Sequence, residues 1–303
     1  MTTLRVGTRA SKLALAQSEA VAGLLRDRNP GVQVDIVEIT TRGDADRETP
    51  LSSGSNVGWF TSALQEALLR EEIDIAVHSY KDLPTKRPEG LSIAAVPLRA
   101  DPRDVLVSRS GKRLRDLPAG SVVGTSSPRR EAQVHGIRPD IEVRSIRGNV
   151  ETRISKVMDG EYDATILALA GMQRLGRERE ATQVLGYEEM LPAPAQGALA
   201  VECRSGDEQA RELAVSIDDT DLRNIVTAER VFLATLEAGC SFPAAAYAEH
   251  FGSTIKLNAM VAYEGHVVRS KIGGPRETAA GLGKALAEEL IASTGMPTPG
   301  SDA

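Results

Sequence analysis

Strand and helix patterns alternate along most of this chain, and that alternation restricts the fold more than any other feature. Residues 4–8 have the apolar pattern of a strand, and apolar residues then recur every three or four positions from Leu13 to Leu24, as in an amphipathic helix. Ser11 stands where that helix would begin, and serine is favoured at this position. Strands that alternate with helices form largely parallel sheets, so we predict an α/β fold.

The alternating pattern occurs in two series. The first continues with a strand at 32–39, a helix at 61–70 and a strand at 73–77. The second follows the polar stretch RADPRD, and its strands are expected at 104–108, 121–124, 141–146 and 165–168. The segment 192–203 is rich in Pro and Ala and is expected to cross between the lobes. Two α/β lobes of similar size are therefore predicted.

The C-terminal part of the chain has a different order of predicted helices and strands. A helix at 226–237 is followed by strands at 255–263 and 267–272, joined across Glu264 and Gly265, and by a helix at 279–291. This pattern predicts a small C-terminal α+β domain, while 294–303 has too little apolar content to pack. The expected division is 1–98 with 199–217 as domain 1, 99–198 as domain 2 and 218–303 as domain 3.

Composition excludes several classes of protein. The chain contains no run of ~20 apolar residues, the length that a membrane-spanning helix needs, and MTTLRVGTR lacks an apolar signal core. We therefore expect a cytoplasmic protein with no membrane partner. A net charge of −6 with dispersed Lys and Arg argues against a nucleic-acid partner. Cys203 and Cys240 are the only cysteines, so neither a disulfide framework nor a metal site is predicted.

Cationic and hydroxyl side chains follow the predicted strands, where ligands collect in open α/β sheets. They are Arg9 and Ser11 after the first strand, Lys81 and Asp82 after 73–77, Ser126, Ser127, Arg129 and Arg130 after 121–124, and Arg147 and Arg153 after 141–146. Guanidinium groups bind carboxylates through paired hydrogen bonds, so a cleft for a ligand with many carboxylates is predicted. Any single arginine could instead be a solvated surface charge or a partner in an intramolecular salt bridge. A phosphate-rich ligand is the competing interpretation, although the chain lacks a Walker-type loop.

Two further residues stand out. Asp82 follows a buried-type strand among cations, where an ionised carboxylate could stabilise a developing positive charge or transfer protons; pairing with Lys81 alone is equally compatible. Cys240 follows a helical stretch that stops at Gly239, beside the negative end of a helix, which does not favour a thiolate. Taken alone, Cys240 is an ordinary loop cysteine, Cys203 a packed core thiol and His78 a structural residue.

Ten sequence strings, read in order over nearly the whole chain, resemble one family. They are TRASKLALAQ, TRGD, DIAVHSYKDLPT, ADPRD, GTSSPRR, SIRGNV, LALAGMQRLG, PAPAQGALAVEC, TAER and LEAGC. Together they resemble the porphobilinogen deaminases, also called hydroxymethylbilane synthases. The resemblance implies two lobes like those of periplasmic binding proteins and a third domain that carries a cofactor.

The resemblance also implies a reaction and a cofactor. Four porphobilinogen molecules would be joined head to tail with loss of ammonia, and hydrolysis would release hydroxymethylbilane. The cofactor would be dipyrromethane, bound through a thioether to Cys240, and the enzyme would be a monomer. Asp82 would be catalytic, contacting pyrrole nitrogens and stabilising the azafulvene cation.

Binding residues are carried over by position. Those implied for the cofactor are Cys240, Lys81, Asp82, Ser127, Arg129 and Arg130. Those implied for the substrate are Arg9, Ser11, Phe60, Arg147, Arg153, Arg174 and Gln196, with Arg5 as a further candidate.

The chain departs from the family pattern in two loops. Residues 51–60 read LSSGSNVGWF, without the lysines that are frequent there, and CSFPAAAYAE replaces the usual sequence after the cysteine. Two alternatives therefore stay open. One is a paralogue without turnover, and the other is a two-lobed protein that only binds a small anion. Retention of Asp82, Cys240 and the arginines favours the active enzyme.

Overall fold

The computed structural model describes residues 2–40, 62–236 and 242–297. Its strands are β1 (Thr2–Arg9), β2 (Val32–Ile39), β3 (Ile75–Ser79), β4 (Leu91–Ala95), β5 (Asp104–Ser108), β6 (Val122–Gly124), β7 (Glu142–Arg144), β8 (Ala164–Ala168), β9 (Gln183–Val184), β10 (Leu199–Arg204), β11 (Ala244–Phe251), β12 (Thr254–Tyr263) and β13 (His266–Pro275). Its α-helices are α1 (Lys12–Arg28), α2 (Ser62–Leu69), α3 (Pro128–Ile137), α4 (Val150–Met158), α5 (Leu169–Arg174), α6 (Glu208–Val215), α7 (Thr220–Thr235) and α8 (Ala279–Thr294).

The first sheet has the strand order β2-β1-β3-β10-β4. β1 runs parallel to β2 and β3, whereas β10 runs antiparallel to β3 and β4. Its strands contribute fully or nearly buried side chains such as Val6, Ile75 and Val201, which pack with residues of α1 and α6. Cys203 lies in this core, as predicted, and burial raises the pKa of its thiol.

The second sheet repeats this arrangement. Its order is β7-β6-β8-β5-β9, with β6 parallel to β7 and β8 and with β5 antiparallel to β8 and β9. Leu106, Val123 and Ile166 form the centre of its core. Two α/β sheets of the same order and strand direction confirm the predicted fold class for this part of the chain.

The C-terminal part contains an antiparallel sheet of the order β11-β12-β13. Phe232 of α7 and Leu286 of α8 are fully buried in one core with Leu257 of β12. This small α+β domain was predicted. The expectation that 294–303 does not pack is wrong at Met296, which is only 9% exposed in that core.

The chain divides into two compact units, one of residues 1–99 and 198–223 and the other of residues 100–197 and 224–303. The first sheet lies in the first unit, while the second sheet and the C-terminal sheet lie in the second. Among the helices described above, none is long and apolar enough to cross a membrane.

Several elements were missing from the sequence prediction. The sequence did not predict four short elements, β4, β9, α5 and α6. The helix α7 begins at Thr220 rather than at 226. The strand β11 begins with three alanines, which have weak strand propensity, yet it pairs with β12 along its full length. Pairing with a neighbouring strand decided its conformation.

Candidate anion-binding site

Four of the predicted site residues lie at the carboxyl edge of the first sheet. β1 ends at Arg9, and Ser11 caps α1 because its Oγ accepts a hydrogen bond from the backbone N–H of Ala14 at 3.2 Å. The neighbouring parallel strand β3 ends just before Lys81 and Asp82. The parallel direction of β1 and β3 therefore brings these four side chains to one edge.

Asp82 is exposed at the end of a short 3-10 turn, Tyr80–Asp82. The turn is anchored on both sides. The backbone N–H of Tyr80 donates to the carbonyl of Ala198 at 3.0 Å, and the next side chain, Leu83, is only 1% exposed. A carboxylate on an anchored turn is held in place while it stays accessible to a ligand.

A buried polar cluster lies behind this edge. Glu202 of β10 is fully buried, and its carboxylate accepts a hydrogen bond from the Gln65 amide at 3.1 Å. His78 Nε2 of β3 lies 3.1 Å from the other carboxylate oxygen, which matches the structural role predicted for this histidine. The amide of Gln17 donates to Ser79 Oγ at 2.7 Å. These contacts connect β3 to β10, α1 and α2.

The second sheet has an ion cluster at its carboxyl edge. Asp104 begins β5, which is antiparallel to β8, so its fully buried carboxylate lies beside the end of β8. Arg129 Nη1 and Arg130 Nη2, both from the first turn of α3, each donate to this carboxylate at 2.7 Å. The amide of Gln196 donates to the same carboxylate at 2.9 Å.

Burial and charge act differently on the pKa values of Asp104 and Arg129 in this cluster. Burial alone raises the pKa of the Asp104 carboxyl, but the two guanidinium groups outweigh burial and hold the pKa far below its usual range. Burial lowers the pKa of Arg129 despite its carboxylate partner. The Nε of Arg130 is buried without a hydrogen-bond partner among the described residues. One carboxylate thus balances the charge of only one of the two guanidinium groups and leaves a donor atom of Arg130 without a hydrogen bond.

Two further arginines of this unit have no carboxylate partner in the described part of the chain. Arg153 of α4 donates from Nε to the carbonyl of Gly148 at 2.8 Å, and Arg174 of α5 donates from Nη2 to the carbonyl of Gly197 at 2.6 Å. Burial lowers the pKa of each to about 10, and for Arg153 the charge of Arg130 adds to the effect. Partly buried cations without a counterion stabilise a bound anion.

Hydroxyl groups organise the loops that follow β6 and β7. Ser126 Oγ accepts from the backbone N–H of Ile146 at 3.1 Å and lies 2.7 Å from the Ile146 carbonyl oxygen. This clamp fixes the residue before Arg147. Ser127 is the N-cap position of α3, where Pro128 follows at the first helical position, and its side chain makes no capping bond, so its hydroxyl is available to a ligand.

Some predicted residues are placed elsewhere. Arg5 forms a bidentate pair with Asp74, which precedes β3, so Arg5 lies away from the carboxyl edge. Phe60 and Cys240 lie outside the described residues. The sequence prediction missed Asp104, although an Asp at the start of an apolar strand is a signal for a buried ion pair when arginines open the next helix.

The fold and these residues define an α/β protein with several arginines and one buried carboxylate at the carboxyl edge of its second sheet. Comparison with known proteins identifies its family. Residues 4–212 match "Porphobilinogen deaminase, dipyromethane cofactor binding domain", and residues 224–292 match "Porphobilinogen deaminase, C-terminal domain". The chain belongs to the porphobilinogen deaminase family, an enzyme family whose cofactor is dipyrromethane.

Curated relatives agree over nearly the full length. The porphobilinogen deaminase of Roseiflexus castenholzii is 44% identical over 97% of both chains. That of Acidothermus cellulolyticus is 46% identical over 96% of this chain and 89% of its own. That of Geobacter metallireducens is 46% identical over 95% of this chain and 91% of its own. The resemblance inferred from the ten sequence strings is confirmed.

Proposed function

We propose that this protein joins four porphobilinogen molecules head to tail, releases ammonia at each step and frees hydroxymethylbilane by hydrolysis. The observation that carries the proposal is the excess of guanidinium groups over carboxylates around Asp104. Each pyrrole ring brings an acetate and a propionate, so every condensation adds two negative charges. A site with uncompensated arginines suits a product of this kind.

The guanidinium groups of Arg129 and Arg130 include donor atoms without a partner among the described residues, which supports contacts with the carboxylates of dipyrromethane. In the described residues, the Arg129 side chain donates hydrogen bonds from Nη1 alone, and the Nε of Arg130 has no hydrogen-bond partner. Dipyrromethane, when bound, supplies the pyrrole carbon at which the first substrate is joined. We propose Cys240 as its covalent attachment point, with further contacts from Lys81, Asp82, Ser127, Arg129 and Arg130.

Substrate carboxylates are proposed to bind to a second set of side chains. It consists of Arg9, Ser11, Phe60, Arg147, Arg153, Arg174 and Gln196. The hydrogen bond from Gln196 to Asp104 supports a positioning role for this residue as well as ligand contact. Asp82 is proposed as the catalytic carboxylate that stabilises positive charge on the substrate and moves protons at its aminomethyl group.

The described residues form three separate sheets, which supports three domains, and in the proposed division Cys240 belongs to the third. We propose a monomer that acts in the cytoplasm on a small-molecule substrate, without a membrane or nucleic-acid partner. The negative net charge of −6 supports the last point.

Intact-mass spectrometry tests the proposal. Protein expressed in a host that makes porphobilinogen should carry a covalent excess equal to two pyrrole units. The excess should disappear in Cys240→Ser and persist in Cys203→Ala, a matched control at the buried cysteine. The same preparations are assayed for ammonia release and hydroxymethylbilane formation.

The outcomes separate the alternatives. Excess mass together with turnover supports the enzyme. Excess mass without turnover would indicate an inactive paralogue. Unmodified protein that binds polycarboxylates but releases no ammonia would indicate a protein that only binds anions.

A further inference from the structure

Glu229 is a fully buried carboxylate that no sequence argument assigned to the site. It lies on α7, and its two oxygens accept hydrogen bonds from two backbone segments. Oε2 accepts from the N–H of Ala195 at 2.6 Å, and Oε1 accepts from the N–H of Ala248 at 2.8 Å. Charge-assisted hydrogen bonds of this kind are among the stronger ones in proteins. Glu229 therefore fixes the segment around Ala195.

Ala195 has an unfavourable backbone conformation. Its φ is +63°, in the left-handed region that residues other than glycine rarely adopt. Its side chain is fully buried, and Gly197 two residues later also has a positive φ of +85°. A turn with such dihedral angles persists only where its surroundings hold it. The hydrogen bond to Glu229 is one such restraint.

The turn at 195–197 contacts Asp104 through Gln196 and Arg174 through Gly197. The Gln196 amide donates to Asp104 at 2.9 Å and to the carbonyl of Pro102 at 2.7 Å. The carbonyl of Gly197 accepts from Arg174 Nη2 at 2.6 Å. A rotation of the Ala195 backbone would therefore move a partner of Asp104 and the acceptor of Arg174 together.

We propose that Glu229 is a positioning residue for the anion site, acting through the left-handed turn at Ala195. The proposal rests on the proposed function, since it states how the arginines that bind substrate carboxylates are oriented. The helix that carries Glu229 ends at Thr235, shortly before Cys240. One helix thus precedes the cofactor cysteine and orients the anion-binding arginines.

The first experiment replaces Glu229 by Gln in the holoenzyme. A Gln side chain accepts from only one of the two backbone N–H groups, so the restraint on Ala195 weakens. The Michaelis constant for porphobilinogen should rise about tenfold, the effect of misplacing one charge-assisted contact, with a much smaller change in kcat. Phe232→Leu, one turn later on the same helix and equally buried, serves as the control for lost stability.

A rescue variant separates positioning from general destabilisation. Glycine adopts positive φ without a steric penalty, so Ala195→Gly should have little effect alone. In the Glu229→Gln background it should restore most of the lost affinity, because the turn no longer needs the restraint. Failure of this rescue, or a similar rise in KM for Phe232→Leu, would overturn the proposal.

A second pair of variants covers the case in which Glu229→Gln does not fold. Ala195→Val disfavours the left-handed conformation while Glu229 stays intact, and it should reproduce the rise in KM. Ala259→Val adds the same two methyl groups at a fully buried position in the extended strand β12, so it controls for overpacking. Equal KM values for these two variants would contradict the proposal.

A non-reacting probe distinguishes this inference from the proposed reaction. Propane-1,2,3-tricarboxylate is titrated into each holoenzyme by calorimetry, and its dissociation constant should change in the same order as KM. If the wild type shows no turnover but Glu229→Gln and Ala195→Val still weaken tricarboxylate binding, the reaction is rejected and the role of Glu229 is retained. Normal wild-type turnover with unchanged dissociation constants in the variants would reject only the role of Glu229.

Discussion

Identical side chains have different surroundings in this site. Arg129 and Arg130 share the buried carboxylate of Asp104, whereas Arg153 and Arg174 donate only to backbone carbonyls in the hydrogen bonds described. A carbonyl does not neutralise a guanidinium group, so the charge of the second pair remains available to a ligand. The position of Asp104 decides which arginines are balanced, and that position depends on the antiparallel direction of β5.

The exposed carboxylate of Asp82 is expected to be required for turnover. Asp82→Asn should lower kcat about 100-fold or more, because a neutral amide does not stabilise the positive charge that develops on the substrate. The arginines remain, so the cofactor should still be attached, as measured by intact mass. Near-normal turnover of this variant would remove Asp82 from the catalytic role.

The buried carboxylate of Asp104 gives a stability prediction. Asp104→Asn should lower the free energy of unfolding by about 3 kcal/mol, because two buried guanidinium groups lose their counterion. Asp101→Asn is the control, since the Asp101–Arg103 pair is partly exposed and should contribute below about 1 kcal/mol. Chemical denaturation at neutral pH measures both.

The ionisation of Asp104 also predicts how the free energy of unfolding depends on pH. The folded pKa of Asp104 lies below the unfolded value of about 3.9. Its stabilising contribution is therefore complete above about pH 4 and is lost as the pH falls through the folded pKa. The difference in unfolding free energy between the wild type and Asp104→Asn should shrink below about pH 4. A constant difference down to pH 2 would contradict this assignment.

At the scale of elements, the two sheets repeat one order with one antiparallel strand each. Alternation in the sequence predicted most of the parallel strands of both sheets. It did not predict that Asp104 would lie beside Ala168 at the carboxyl edge, because strand direction within a sheet is a tertiary property. The alanines of β11 illustrate the same limit, since their strand conformation depends on pairing with β12.

The helices α8 and α7 pack closely at Gly283. A Cβ at Gly283 would lie 2.3 Å from the carbonyl oxygen of Ala228 and 2.9 Å from the N of Phe232. Gly283→Ala should therefore lower the free energy of unfolding by about 1–3 kcal/mol. Thermal unfolding of the holoenzyme measures the effect.

The same helix offers a matched control. A Cβ at Gly281 would meet nothing within 4 Å, and the residue is exposed. Gly281→Ala should therefore raise stability by about 0.5–1 kcal/mol through helix propensity. Equal effects of the two substitutions would show that helix contact does not limit the size of residue 283.

The candidate anion site has a local charge opposite in sign to the net charge of the protein. The chain has a net charge of −6, yet the described residues around Asp104 bring guanidinium groups together in excess over carboxylates. The repulsion between Arg130 and Arg153 helps to lower the pKa of Arg153. A bound polycarboxylate relieves this repulsion, so the protein should be more stable with its cofactor.

Removal of the cofactor tests this expectation. Cys240→Ser should unfold about 4 °C below the holoenzyme, which corresponds to about 2–3 kcal/mol in a protein of 303 residues. Added propane-1,2,3-tricarboxylate should recover part of the difference by mass action. Cys203→Ala, analysed for retained cofactor by mass, controls for loss of a thiol. An unfolding temperature unaffected by cofactor loss would argue against uncompensated charge in the site.

The α/β class, the small C-terminal domain, the family and the positions of most of the polar side chains at strand ends could all be predicted from the amino-acid sequence. These follow from periodicity and from contiguous strings, which are local properties of a chain. Three features depend on the folded arrangement: Asp104 balances Arg129 and Arg130, Arg153 and Arg174 lack a carboxylate partner in the described residues, and Glu229 holds Ala195. Those pairings join residues far apart in sequence, and burial in a medium of low polarity gives them their energetic weight.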